Sequence, residues 1–279
     1  MLGQRVLTAV VLLALLLPAL FAANPWPFLV FTLVLVAAAG WEWARLNSSG
    51  AVLAIAMGAG LFLAGAGAAW AGWTRTAPAP AWWLASAIWA VGGAIALRGG
   101  PAAWPHLPQA ARWLIGCIAL FVAWLALANA RHAGINFLLS LLCVVWAADI
   151  AAYFGGRRFG RRKLAPSISP GKSWEGVVSG VLGVLLLALV WSWLDRSAWV
   201  DGPSLFSRLR LGLGWPGMLL ALVALAAISV VGDLVESLVK RAAGAKDSSR
   251  LLPGHGGVLD RVDALLPVLP LGMALSQFS

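Results

Sequence analysis

The chain has 279 residues, 61% of them hydrophobic and 11% charged, with a formal net charge of +10 and a mean hydropathy of +0.88. A soluble domain carries about a quarter charged residues. This composition therefore excludes a soluble globular protein and predicts a single all-α, polytopic membrane bundle over residues 1–279.

A membrane-spanning helix needs about 20 mostly apolar residues. Nine candidate spans follow in order: residues 5–23, 26–44, 51–73, 81–97, 112–130, 135–154, 175–194, 214–239 and 262–278. The first has only Arg5 before a long apolar run. That pattern predicts a retained anchor rather than a leader cleaved near Ala22-Ala23. Pro25 and Pro27 mark the first turn, and Asn47-Ser48-Ser49-Gly50 the second. Further breaks fall at Pro78–Ala81 and Gly99–Pro108. Gly58, Gly60, Gly65 and Gly67 share the third span, and Gly176, Gly180 and Gly183 the seventh. Both sets read as close-packing faces. Pro267 and Pro270 interrupt the last span, which makes it the weakest. Cys117 and Cys143 lie in apolar runs and read as packing residues, neither a disulfide nor a metal pair. The seventeen tryptophans suit interfacial belts.

With the N-terminus in the cytoplasm, fifteen of the twenty Lys and Arg fall on the cytoplasmic side. The other five are Arg75, Arg131, Arg196, Arg208 and Arg210. That asymmetry follows the positive-inside rule and turns the two most charged loops, 155–174 and 240–261, toward the cytoplasm. Gly171-Lys172-Ser173 resembles the end of a phosphate-binding P-loop, but Pro166 stands where the first glycine is required and no strand precedes it.

Acids are scarce, ten in all, so their positions carry information. Asp149 stands near the end of its span with Tyr153 one turn on. Asp233 and Glu236 share a face of the eighth span, with Ser237 beside Asp233 and Lys240 beside Glu236. Glu236 reads as a structural partner of Lys240. Asp233 has no basic residue at helical spacing, and an ionisable residue within a membrane span is a functional candidate. Asp247, Asp260 and Asp263 follow in or after the loop. Carboxylates hold Mg2+ together with substrate phosphates and water, Lys and Arg hold phosphates, and glycine-rich turns present backbone N–H groups to anions. The 233–263 segment has all three ingredients, which points to a cation-dependent phosphate site at the membrane surface.

Two blocks resemble the CDP-diacylglycerol synthase (phosphatidate cytidylyltransferase) family. One is Ser237, Lys240-Arg241, Lys246-Asp247, His255-Gly256-Gly257, Asp260-Arg261 and Asp263. The other is Asp149, Ala152-Tyr153, Gly156, Gly160-Arg161, Ser169-Pro170, Lys172-Ser173 and Glu175-Gly176. Together they cover about a fifth of the chain; Ala264 departs from the Ser of many relatives. The resemblance implies that CTP and phosphatidate give CDP-diacylglycerol and pyrophosphate with Mg2+, and leaves room for a second cation. It implies catalytic roles for Asp233, Lys246, Asp247, Asp260 and Asp263, with Asp233 and Asp260 as cation ligands. Asp149, Tyr153, Ser169, Lys172, Ser173, Glu175, Ser237, Lys240, Arg241, His255, Gly256, Gly257 and Arg261 would bind substrate. Residues 131–279 would hold the catalytic helices and loops, and residues 1–130 the N-terminal helices. The implied partners are CTP, bilayer phosphatidate and membrane lipids, with no nucleic acid and with a homodimer left open. The implied location is a bacterial inner membrane, with the site facing the cytoplasm. The alternatives are a CTP-dependent lipid kinase, which shares the cation and triphosphate logic, and a polytopic transporter. The transporter would need charges at the midplane of several spans.

Overall fold

Long apolar runs must fold as helices in lipid, because the bilayer core offers their backbone no hydrogen-bond partners. The computed structural model describes residues 2–196 and 200–278. Its helices run as α1 (Leu2–Phe21), α2 (Trp26–Leu46), α3 (Ala51–Trp70), α4 (Ala79–Ala103), α5 (Gln109–Ala133) and α6 (Ile135–Phe159). A hairpin of β1 (Lys163–Ala165) and β2 (Ser169–Ser173) follows. Then come α7 (Trp174–Leu194), α8 (Leu205–Ala242), the single turn α9 (Leu259–Val262) and α10 (Leu265–Leu275). Among the described residues seven helices, α2 to α8, are long and apolar enough to cross a membrane. The large side chains Leu63, Leu186 and Leu220 are exposed on the outside of the bundle, as expected of a surface that faces lipid rather than water.

Glycine and proline divide α4 and α8. Gly100 (φ 67°) ahead of Pro101 breaks α4, and Gly214 (φ 65°) ahead of Pro216 breaks α8. Glycine takes this left-handed φ without a Cβ clash. The apolar spans are thus the segments before Gly100 and after Gly214, close to the expected 81–97 and 214–239. Lipid removes the hydrophobic drive between helices, so close backbone approach has to supply the packing. On α7 a Cβ at Gly180 would lie 3.0 Å from the Ala148 carbonyl oxygen of α6, and one at Gly176 3.1 Å from that of Ala152. Gly183 likewise packs on α6. In α3 the expectation holds only in part: Gly58 and Gly65 press on α2, whereas Gly60 and Gly67 have open space.

The last span differs most from expectation. The expected span 262–278 is broken by a turn at Asp263-Ala264: the loop after α8 descends into the bundle through α9 and leads into α10, which is continued by a 3-10 turn at Ser276–Phe278 and is itself 11 residues long. At about 1.5 Å per residue that is roughly 17 Å, half a bilayer core. The depth is set at Gly232, where a Cβ would lie 2.6 Å from the Asp263 carbonyl oxygen and 2.8 Å from the Pro267 ring. Gly232 precedes the end of α8 at Ala242 by ten residues, or about 15 Å. The ninth pass is therefore a loop above and a half-helix below.

The two ends of the bundle are distinct. Arg241 Nε donates to the Ile168 carbonyl (3.2 Å), which ties the hairpin to the C-terminal end of α8. Phe278 packs edge-on against Trp83, their centroids 5.6 Å apart, near the start of α4 at the opposite end. Ser279 itself lies outside the described residues. Reporter fusions at residue 165 and after residue 279 are expected to report opposite compartments. The same compartment from both would contradict the descending ninth pass.

Candidate active site

α6, α7 and α8 carry their small residues inward and meet under the hairpin around a cavity of about 470 Å3. Its deeper wall is apolar and close-packed, with Ala148, Gly180, Ala226 and Val230. Toward the hairpin end the lining changes to Asp149, Tyr153, Ser169, Lys172, Ser173 and Asp233. Asp149 precedes the end of α6 by ten residues and Asp233 the end of α8 by nine. Both therefore lie about 14–15 Å along the helix axes from those ends, where Asp149 is exposed and Asp233 half-buried.

The partner that α8 lacks at helical spacing comes from the hairpin. Lys172 Nζ, on β2, donates to Asp233 Oδ2. Ser237 Oγ donates to Asp233 Oδ1 at 3.3 Å, one turn along α8. Asp149 and Asp263 are each near enough to feel the charges of both Asp233 and Lys172. Lys172 thus pairs with Asp233 in a partly buried place, with the Asp149 and Asp263 carboxyls within electrostatic range of the pair, a local excess of negative charge.

A second cluster adjoins it. Lys240 Nζ sits 2.5 Å from Glu236 Oε2 and 2.6 Å from Asp260 Oδ1. Glu236 is 2% exposed and, among the described residues, has only this ammonium beside its carboxylate. Asp260 is better served: its oxygens also accept from Ser248 N (3.0 Å), Ser248 Oγ (3.0 Å) and Gly257 N (2.8 Å). Burial alone would push the Asp260 carboxyl up, but the Lys240 ammonium and these donors outweigh it and hold the group down at about 2. The stabilisation this gives is present above the ordinary carboxylate range and is lost as pH falls toward 2.

The other expected site residues divide. Ser173 Oγ accepts from Gly176 N at 3.2 Å and caps α7. Glu175 accepts from the backbone N–H groups of Arg161 (3.0 Å) and Arg162 (3.2 Å), which fixes the entry to the hairpin. Arg241 is spent on the Ile168 and Ala245 carbonyls. Arg261 donates from Nε and Nη2 to the His255 carbonyl and closes the glycine turn. In that turn Gly256 holds φ 82°, and a Cβ at Gly257 would fall 2.5 Å from Glu42 Oε1. The buried Nδ1 of His255 has no partner among the described residues. Lys246 and Asp247 are exposed on the loop. Tyr153 lines the cavity, and its hydroxyl accepts from Arg157 at 3.4 Å.

Two residues were not singled out by the sequence reading. Ser248 has its hydroxyl beside both Asp260 and Glu42. Glu42, on α2, is completely buried beneath the loop. A signal existed for Glu42: it is a lone acid between two tryptophans in an otherwise uncharged span.

The profile described as the cytidylyltransferase family matches residues 3–279. A phosphatidate cytidylyltransferase of Pseudomonas aeruginosa is 36% identical over 292 aligned positions, covering 99% of this chain and 97% of the relative. One of Haemophilus influenzae is 48% identical over 137 residues, covering 49% of this chain and 44% of the relative. One of Brucella suis is 47% identical over 142 residues, covering 50% and 46%. In the last two alignments the chain spans under half the length of the relative.

Proposed function

Because the chain belongs to the cytidylyltransferase family, we propose that it transfers the cytidylyl group of CTP to phosphatidate, giving CDP-diacylglycerol and pyrophosphate. One observation carries this reading. A cavity with an apolar deep wall ends under the hairpin in Lys172, Asp233 and Asp149. Such a gradient suits a substrate that is lipid at one end and phosphate at the other. The phosphatidate phosphate, already an anion at neutral pH, attacks the α-phosphorus of CTP. The bond from that phosphorus to the bridging oxygen of pyrophosphate breaks. No general base is needed, and catalysis consists of positioning and charge neutralisation.

The donors in this region are oxygens, which suit a hard cation such as Mg2+. Among the described residues no three acidic, His or Cys side chains converge to enclose an ion on their own. Mg2+ ordinarily takes one or two carboxylates and completes its shell with substrate phosphates and water. Asp233 fits best as the protein ligand, since its neighbours carry excess negative charge. Asp260 would serve only by giving up one of the donors it now holds. The bound cation would neutralise charge on the transferring phosphates. Lys172 holds the phosphate of the lipid substrate beside Asp233, and Tyr153 and Ser169 flank it. His255, whose Nδ1 has no partner among the described residues, meets the triphosphate at the Gly256-Gly257 turn. Lys246, on the exposed loop, meets the incoming nucleotide. The site faces the cytoplasm of a bacterial inner membrane, following the positive-inside charge split.

The direct test is pyrophosphate release by the purified protein in lipid. It should require CTP, phosphatidate and Mg2+ together; release without phosphatidate, or none with all three, would refute the assignment. Lys172→Ala is expected to lower turnover about ten- to a hundredfold, since a hydrogen bond to a charged group is worth roughly 1.5–3 kcal/mol. Arg98→Ala, a charge outside the cavity, should match the wild type at equal protein amount in the membrane. Equal activity of the two variants would remove Lys172 from the site.

A further inference from the structure

Glu42 lies on α2, in the part of the chain that neither motif block touches, and is 0% exposed. A buried carboxylate is expensive unless its oxygens are satisfied, and here both are satisfied by one loop. Oε1 accepts from Ser249 Oγ (2.6 Å) and Val258 N (2.9 Å). Oε2 accepts from Leu259 N (2.7 Å) and lies 3.2 Å from Ser248 Oγ. The backbone groups it holds immediately precede Asp260. From Asp260 the chain of contacts runs through Ser248 and Gly257 on one side and through Lys240 of α8 on the other. Glu42 does not line the cavity.

The geometry points to Glu42 as a positioning residue: it pins the 248–259 loop to α2 at the depth where Asp260 meets Lys240 and the Asp263 backbone packs on Gly232. This rests on the reaction proposed above. Gly257 is the companion requirement, because any side chain there would strike Glu42 Oε1. Val258 and Leu259 bury their side chains in the core, but apolar contact alone is non-directional and does not fix the loop's height or rotation. A carboxylate taking two consecutive backbone N–H groups fixes both its height and its rotation.

Glu42→Gln tests this, because the amide keeps the volume but offers one acceptor oxygen. In either orientation its NH2 faces a backbone N–H, of Val258 or of Leu259. Turnover per folded molecule should fall about ten- to a hundredfold, the scale of a displacement of about 1 Å in a catalytic constellation. The Mg2+ concentration for half-maximal activity should rise, and KM for phosphatidate should stay unchanged, because the cavity wall of α6 and α7 is untouched. In lipid nanodiscs, trypsin cleavage after the exposed Arg250 should be faster by about tenfold, reporting local opening of the loop. Ser249→Ala removes one donor from the loop and leaves the bundle intact. It should shift turnover and cleavage in the same direction by less, which keeps the test decisive if Glu42→Gln folds poorly. The inference is overturned if both variants show wild-type turnover and Mg2+ dependence. It is equally overturned if the loss tracks protein amount alone while turnover per folded molecule is unchanged. A wild-type protein with no phosphatidate-dependent pyrophosphate release would instead overturn the reaction itself.

Discussion

Asp233→Asn is expected to reduce turnover at saturating Mg2+ by at least about a hundredfold, the scale on which one strong electrostatic contact in a transition state is lost. The substitution keeps the shape and the Ser237 hydrogen bond, and removes only charge. Asp233 is the residue on which the two motif blocks meet, since Lys172 reaches it from the hairpin, Ser237 donates to it, and the descending loop packs on the adjacent Gly232. With an amide in its place, Lys172 loses its counter-charge and the cavity loses the carboxylate best placed to hold a cation. Steady-state kinetics at equal protein amount decide the matter. Near-normal turnover at ordinary Mg2+ would show that Asp233 does not hold the cation.

Lys240→Met should be the most destabilising single change in the site. Its ammonium serves Glu236 and Asp260 at once, and Glu236 has no other donor beside it among the described residues. Removing one partner of a buried ion pair costs about 3–5 kcal/mol, because the remaining charge stays buried without compensation. A large fall in the thermal midpoint in detergent is expected, together with loss of activity as Asp260 loses its tie to α8. The double variant Lys240→Met/Glu236→Gln should recover part of the stability while remaining inactive. A Lys240→Met protein as stable as the wild type would mean that the cluster opens to water and that its ion pairs contribute little.

The spans were legible because membrane-length apolar runs and Pro-Gly breaks have one reading in lipid. Pro101 and Pro216 even mark where α4 and α8 kink. The Glu236–Lys240 pair was legible too, being one turn apart. The ninth pass was not, because its depth is fixed by Gly232 against Pro267, a contact between separate elements. The hairpin was missed because Lys163–Ala165 and Ser169–Ser173 are short and polar, with no alternation to betray a strand. Within the site the motifs gave the cast but not the pairings. That Lys172 would find Asp233 across 61 positions, or Lys240 Asp260 across 20, follows only from how α7 and α8 return to one end. Arg241 and Arg261, read as phosphate ligands, also tie backbone together. Spacing cannot distinguish these roles. Glu42 was visible as an isolated acid, but its purpose lies in backbone N–H groups more than two hundred residues away.

If this chain makes a liponucleotide by cytidylyl transfer, the position of a phosphorus label reads it directly. Purified protein is given phosphatidate, Mg2+ and CTP carrying 32P at either the α- or the γ-phosphate. Phosphatidate-dependent α-label is expected in a lipid product that co-migrates with CDP-diacylglycerol, with all γ-label released as pyrophosphate. Label from the γ-position entering lipid, or no α-label in lipid, would contradict it.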